Sequence, residues 1–222
     1  MNLLDSHDTD RLSSHIVNPD LLYDHRVGAS DNREYNVRKP NEKEIEIQKL
    51  MALFQMTYLG APMVYYGDEV GMWGGDDPDE RKPMLWSDIN YDDEVSHPFG
   101  IKRSHDKNEV NQDLFDYYKK LINIRTQNEP LMIGDFFSLV ADSVKDVYAF
   151  KRSAGDKTIL VVINNSLKEQ TIDIKKSGIS SKELVDLLSD RKFTMQDGTV
   201  TVTLKPKSGV ILKNCGSWRS GG

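Results

Sequence analysis

Four side chains stand out for the chemistry their types and spacing permit. His7 and Asp8 are adjacent at the end of a short, partly apolar run, Asn2 to Ser6. An imidazole donor beside a carboxylate acceptor can bind polar ligand groups, and it can equally be a loop pair or a helix cap. Asp77 and Arg81 lie four apart in a loop rich in Gly and Pro. A carboxylate and a planar guanidinium each grip paired hydroxyl groups, and together they also make a local ion pair that holds a loop. Arg11 follows the His-Asp pair closely and reads either as part of that site or as a salt-bridge partner orienting Asp8 or Asp5.

Other clusters are weaker. Asp68 and Glu69 are adjacent, and neighbouring residues rarely point together into one site, so catalysis is not expected there. The run Asp76-Asp77-Pro78-Asp79-Glu80 lacks the Asp-x-Asp-x-Asp-Gly spacing of a calcium loop and reads as a solvated loop. His15, His25, His97 and His105 show no metal-ligand spacing, and no metal site or cofactor is expected. The one cysteine, Cys215, excludes an internal disulfide framework.

The elements that must position these groups change character along the 222 residues. Asn2 to Ser6 reads as a strand delivering polar groups at its C-terminal end. Pro19 to Asn41 reads as an irregular loop. From Glu42 to Leu59, apolar residues at three- and four-residue steps (Ile47, Leu50, Met51, Phe54, Tyr58) predict an amphipathic helix that Gly60 and Pro62 stop. Its Met and aromatic positions are most simply core. Met63-Val64-Tyr65-Tyr66 is expected to be a strand buried on both faces. Strand, helix and strand in that order imply a βαβ unit with a parallel sheet. After a long polar excursion, Leu114 to Arg125 outlines a second helix, ending near Pro130.

Beyond Pro130 the hydrophobic period drops to two. Strands are expected at Phe136–Ala141, Val147–Arg152, Thr158–Asn164, Gln170–Ile174, Glu183–Leu187, Thr199–Leu204 and Gly209–Lys213. Turn signals separate them, including Ala154-Gly155-Asp156-Lys157, Lys176-Ser177-Gly178 and Gln196-Asp197-Gly198. Such strands imply an antiparallel sandwich.

The motifs fall in the order of a known family. Leu3-Leu4-Asp5-Ser6-His7-Asp8-Thr9-Asp10-Arg11 resembles the end of the seventh barrel strand in the α-amylase family of glycoside hydrolases. Gly60 to Met72 is similar to that family's eighth strand and following loop, and Asp77-Pro78-Asp79-Glu80-Arg81-Lys82-Pro83-Met84 to a sugar-contacting segment of its neopullulanase and cyclomaltodextrinase branch. Gly134-Asp135-Phe136, Val147-Tyr148-Ala149-Phe150 and Val161 to Ser166 resemble the family's C-terminal sandwich. The resemblance covers nearly the whole chain.

It implies an α/β part joined to an all-β part. Residues 1–129 would be the C-terminal portion of a (β/α)8 barrel, its last two strand-helix units, and 130–215 an antiparallel β-sandwich. Residues 216–222 read as a flexible, vector-derived tail. The resemblance makes Asp8 the third carboxylate of a retaining glycosidase, with His7 donating to the same sugar, and gives Asp77 and Arg81 contacts to sugar on the non-reducing side of the cleaved bond. Trp73 stays open between stacking on a sugar face and anchoring a core.

The family's nucleophile follows a Gly-x-Arg-x-Asp pattern, absent here, and nothing matches the context of its general-acid Glu. A whole barrel takes about 250 residues. The chain is therefore expected to be a piece of an enzyme on maltodextrin-like or starch-like sugars, inactive alone, with α-glucan oligosaccharides as partners. Two rival readings are a non-catalytic carbohydrate-binding module and a purely structural domain, and the sandwich lacks an obvious line of Trp and Tyr for the first.

Composition excludes other classes. A net charge of −6 without clustered Lys and Arg argues against nucleic-acid binding. No run approaches the length of a membrane-spanning helix, and the start, Met1-Asn2-Leu3-Leu4-Asp5, lacks a signal peptide's basic and apolar regions. Any signal of a secreted parent would lie upstream, so the compartment is left open between cytoplasm and periplasm or secretion. Barrel strands cut from their neighbours are expected to rearrange, stay loosely held or self-associate through exposed edges, while Pro130 to Asn214 folds compactly.

Overall fold

The computed structural model describes residues 1–22, 32–97, 100, 102–175, 178–179 and 181–215. His25, part of the loop after Pro19, the turn at Lys176 and Ser177, and the tail from Gly216 lie outside them. The chain divides into two compact units, Met1–Gln55 with Ala61–Lys119, and Met56–Gly60 with Lys120–Gly222.

In the first unit, β1 (Asn2–Leu3) and β2 (Pro62–Met63) pair in parallel, with Asn2 opposite Pro62 and Leu3 opposite Met63. Between them lie α1 (Leu12–Val17) and α2 (Glu42–Thr57). Asn41 and Glu44 start α2 as a reciprocal cap. The Asn41 side chain accepts from the amides of Lys43 and Glu44 at 3.0 and 3.1 Å, and Glu44 accepts from the Asn41 amide at 2.7 Å. Gln55 then ties α2 to the strands, donating to the carbonyl oxygens of Met63 at 2.9 Å and Asn2 at 3.3 Å.

The strands are shorter than the sequence implies. Met63 and Tyr66 are exposed, so the run Met63 to Tyr66 is not a strand buried on both faces. Two paired residues in each strand bury little, and the chain turns away at Gly67, whose φ is +91°. A Cβ at Gly67 would lie 2.3 Å from the Met72 sulfur, so both backbone and space require glycine. The polar excursion between β2 and the next helix contains two single 3-10 turns, Asp68–Val70 and Asp79–Arg81.

The second helix, α3, spans Gln112–Thr126, and a five-residue helix, α4 (Glu129–Ile133), follows with Pro130 in its first turn. In the second unit, two buried guanidiniums collect the carbonyl groups that the end of α2 leaves free. Arg152 donates to Thr57, Tyr58, Leu131 and Gly134 at 2.9–3.2 Å, and Arg125 donates to Met56 and Gly60 at 2.7 Å.

Eight antiparallel strands complete this unit: β3 (Asp135–Asp142), β4 (Val147–Ala154), β5 (Lys157–Asn164), β6 (Gln170–Lys175), β7 (Glu183–Asp186), β8 (Lys192–Gln196), β9 (Thr199–Leu204) and β10 (Ser208–Asn214). Their order is β3-β4-β5-β10-β7-β8-β9-β6, a nearly closed sheet folded into a sandwich. Alternation aims Ile172, Ile174, Val200, Val202 and Leu204 into the same core as Ala149, Leu160, Val162 and Leu212. β5 is buried on both faces, so it reads as a continuous apolar run. The sequence reading passes over α1, α4 and β8.

Candidate functional site

The polar residues singled out in the first unit come from two places. The loop after β1 carries His7, Asp8 and Arg11. The loop after β2 carries Asp68, Asp77 and Arg81. Both loops leave the C-terminal ends of parallel strands, the end at which barrels of this kind build sites.

The β1 loop is held by its own polar groups. Asp5 is buried and accepts from the Leu12 amide at 2.7 Å, fixing the start of α1. The Ser6 amide donates to Thr9 Oγ1 at 3.0 Å, and the Asp8 amide to Ser6 Oγ at 3.2 Å. This small turn lifts His7 and Asp8 into solvent, their side chains about 70 % exposed and 3.3 Å apart.

The β2 loop is stitched onto α1. Ser13 donates to the Met72 carbonyl at 2.5 Å, the Gly74 amide to Ser14 Oγ at 2.8 Å, and the Arg11 amide to the Gly74 carbonyl at 3.1 Å. The approach is close enough that a Cβ at Gly74 would lie 2.4 Å from the Asp79 carbonyl oxygen. The Gly75 amide closes the turn onto Asp79 at 3.0 Å.

These constraints bring all four sequence-selected residues together around Arg81. Its Nε donates to the His7 carbonyl at 2.9 Å and to Glu80 at 2.8 Å, and its Nη2 lies 3.6 Å from Asp8 and 3.4 Å from Asp77. One cation thus faces three carboxylates, of which Asp8 and Asp77 remain open to solvent and Glu80 does not. Burial raises the Glu80 carboxyl above its ordinary value, partly offset by Arg81. Exposed carboxylates flanking a fixed guanidinium offer acceptors and donors spaced for vicinal hydroxyl groups.

The structure resolves two open readings, those of Arg11 and Trp73, and corrects the expectation of a solvated acidic loop. Arg11 turns away from Asp8. Its guanidinium is fully buried against the rings of Tyr65 and Tyr66, 4.6 and 4.9 Å from their centroids, donates to the Tyr66 carbonyl at 2.7 Å and reaches Asp68 at 3.5 Å. Desolvation and the facing Asp5 carboxyl raise Asp68 well above the ordinary carboxylate range; Asp5 is also raised by burial. We read the two carboxyls as sharing one proton, with Arg11 balancing the remaining charge.

The acidic run from Asp76 is not uniformly solvated. Asp79 and Glu80 are buried, Asp79 taking the Gly75 amide and Lys82 at 3.2 Å. Trp73 is 2 % exposed, with the ammonium groups of Lys39 and Lys82 over its ring at 5.6 and 5.3 Å. It is a core anchor rather than a stacking surface. Glu80 is the member of the site that sequence reasoning passes over, because nothing in an acidic run marks which carboxylate turns inward. Among the described residues no group of three or more His, Cys, Asp or Glu is placed to hold a metal ion, and no helix is long and apolar enough to cross a membrane.

Comparison with known proteins gives consistent matches. The α-amylase catalytic domain model matches residues 1–134, and the C-terminal domain model of maltogenic amylase matches 137–211. Neopullulanase 2 of Thermoactinomyces vulgaris is 34 % identical over 96 % of this chain and 29 % of its own length. Cyclomaltodextrinase of Thermoanaerobacter pseudethanolicus is 33 % identical over 92 % of this chain and 31 % of its own. The chain therefore spans about a third of these relatives. The α-amylase of Geobacillus thermoleovorans, solved with acarbose, superposes with a TM-score of 0.69 at 23 % identity, over 95 % of this chain and 38 % of that one.

Proposed function

Because this chain belongs to the α-amylase family of glycoside hydrolases, we propose that it is the C-terminal part of a retaining enzyme that cleaves α-glucosidic bonds in maltodextrin-like and starch-like sugars. In this reading residues 1–129 are the end of the catalytic barrel and 130–215 a C-terminal sandwich. The observation that carries the reading is the convergence of Asp8, Asp77 and Arg81 at the shared C-terminal end of β1 and β2.

In this reading Asp8 accepts hydrogen bonds from hydroxyls of the sugar at the cleaved bond, bonds that strengthen as the ring flattens toward its oxocarbenium-like transition state. His7 donates to the same sugar. Arg81 and Asp77 hold the next sugar on the non-reducing side. The hydroxyl groups of substrate replace part of the mutual pairing seen among these side chains. The names of the relatives, neopullulanase and cyclomaltodextrinase, support an α-glucan as the substrate class.

Double displacement needs a nucleophile and a general acid. Neither family context occurs in this sequence, so the chain by itself is inactive. The test has two arms. The pure chain should release no nitrophenol from an activated maltoside, and turnover that Asp8→Asn abolishes would overturn the inactivity. An enzyme carrying this segment with the other two carboxylates should release maltodextrin products first as the α-anomer, read by proton NMR. Release of the β-anomer would overturn the retaining mechanism.

A further inference from the structure

Among the described residues, the tryptophan open to a ligand is not Trp73 but Trp86, which is 57 % exposed. It lines a cavity of about 290 Å³ between the segments 86–93 and 107–112 of the first unit. We propose that this groove is a second α-glucan binding site, on which Trp86 stacks a glucosyl ring apart from the cluster at Arg81.

Three observations carry the proposal. The indole is presented by a fixed support: the Trp86 amide donates to the Tyr91 hydroxyl at 2.8 Å, and that hydroxyl donates to the Met84 carbonyl at 3.1 Å. Tyr91 in turn packs on the buried Val70, Met72 and Leu85. The groove is also preformed, because its two segments are clasped by a backbone bridge between Glu94 and Asp106, at 2.8 and 3.0 Å, with the buried Arg103 paired to both carboxylates. A rigid flat face costs little side-chain entropy when a ligand settles on it.

The third observation selects the ligand. The ionisable groups at the rim already pair with each other, Asp93 with the His105 ring at 2.8 Å and Lys107 with Glu109 at 2.5 Å. Neutral groups are left to bond a ligand, among them the amides of Asn90 and Asn108, which have no hydrogen-bond partner among the described residues. A wall of self-paired ionisable groups and free amides beside an exposed indole suits a neutral polyhydroxylated ring better than an ion or an apolar segment. A pyranose offers an apolar C–H face to the indole and an equatorial belt of hydroxyls to the amides. That the ring belongs to an α-glucan rests on the function proposed above.

The test is titration calorimetry of the 222-residue chain with maltoheptaose, and with cellohexaose as the β-linked control. Trp86→Ala should weaken maltoheptaose binding at least about tenfold, or about 1.4 kcal/mol. Trp86→Tyr should restore most of the affinity, and the thermal midpoints of both variants should match the native chain. Arg81→Ala should leave this binding in place. Binding lost in Arg81→Ala but kept in Trp86→Ala would overturn the second site and leave the function proposed above standing. No maltoheptaose binding by the native chain would overturn it too. Equal affinity for cellohexaose would overturn the α-glucan assignment while retaining a sugar platform.

Discussion

Arg81 Nη2 lies 3.6 Å from the carboxylate of Asp8, although one residue follows β1 and the other follows β2. The same guanidinium holds the His7 carbonyl at 2.9 Å, so it positions the backbone of the pair as well as facing its side chains. Asp8 and Arg81 should therefore fail in different ways. In an enzyme containing this segment, Asp8→Asn should lower kcat by several orders of magnitude with the fold intact, because its hydrogen bonds count mostly in the transition state. Arg81→Ala should act chiefly on KM for longer substrates, since a neighbouring sugar is gripped equally in ground and transition states. Steady-state kinetics on maltooligosaccharides of increasing length separates the two. Near-normal kcat in Asp8→Asn would remove the role given to this strand end.

A second prediction concerns the buried pair of Asp5 and Asp68. Desolvation, Asp5 and Glu69 all push the Asp68 carboxyl up, and Arg11 opposes them. The folded Asp5–Asp68 pair holds a proton that the unfolded chain releases in the ordinary carboxylate range. Its contribution to stability is complete below that range and is lost as pH rises toward the raised folded value. Asp68→Asn replaces the protonated acid with a neutral amide and removes this part of the slope. Thermal midpoints between about pH 4 and pH 8 should thus fall less steeply in Asp68→Asn than in the native chain, with the variant at least as stable at neutral pH. Parallel curves, with the variant lower throughout, would mean that Asp68 is ionised and paired with Arg11.

How far the sequence reveals these relationships depends on how local they are. The Asn41–Glu44 cap and the alternation of Val200, Val202 and Leu204 are set by neighbouring residues, and both strand and helix can be read directly. β8 is hidden because only Phe193 of Lys192–Gln196 is fully buried, and α4 because five residues around Pro130 carry no period. At the candidate site, the motifs select His7, Asp8, Asp77 and Arg81, which the structure brings together. They do not say that Trp73 is covered, that Arg11 packs against Tyr65 and Tyr66, or that Glu80 faces inward. Those outcomes are decided by packing between distant segments.

Arg152 provides a third test, in the second unit. It is buried, and its four carbonyl partners come from the end of α2, from the middle of α4 and from the residue after it. Desolvation lowers its pKa, with Arg125 adding to the effect, so the site bears a cost that these hydrogen bonds offset. Arg152→Met fills similar space but strands the carbonyls, and should destabilise the chain by roughly 3 kcal/mol or more. Arg152→Lys should recover little, because one ammonium cannot span the positions a planar fork reaches. Urea unfolding followed by tyrosine fluorescence measures both. A loss below about 1 kcal/mol in Arg152→Met would show that solvent satisfies the carbonyls.

The last prediction follows from the edges of the parallel pair. Among the described strands β1 and β2 pair only with each other, so each has one flank without a ladder. Leu3 and Met63 lie beside those flanks and are 40 % and 37 % exposed. An edge with unpaired amides and carbonyls next to exposed apolar side chains is a template for another strand. The isolated chain should therefore self-associate as its concentration rises, through the first unit. Sedimentation velocity over about a hundredfold range of concentration should show the weight-average coefficient climbing. Met63→Lys should shift that climb to higher concentration, because a charge beside the edge must be desolvated before a second strand can pair. The sandwich supplies the control, since Thr171→Lys on its exposed surface should leave the climb where it is. A native chain that stays monomeric throughout would remove the edge as a driver of association, and equal shifts in both lysine variants would assign the effect to net charge instead.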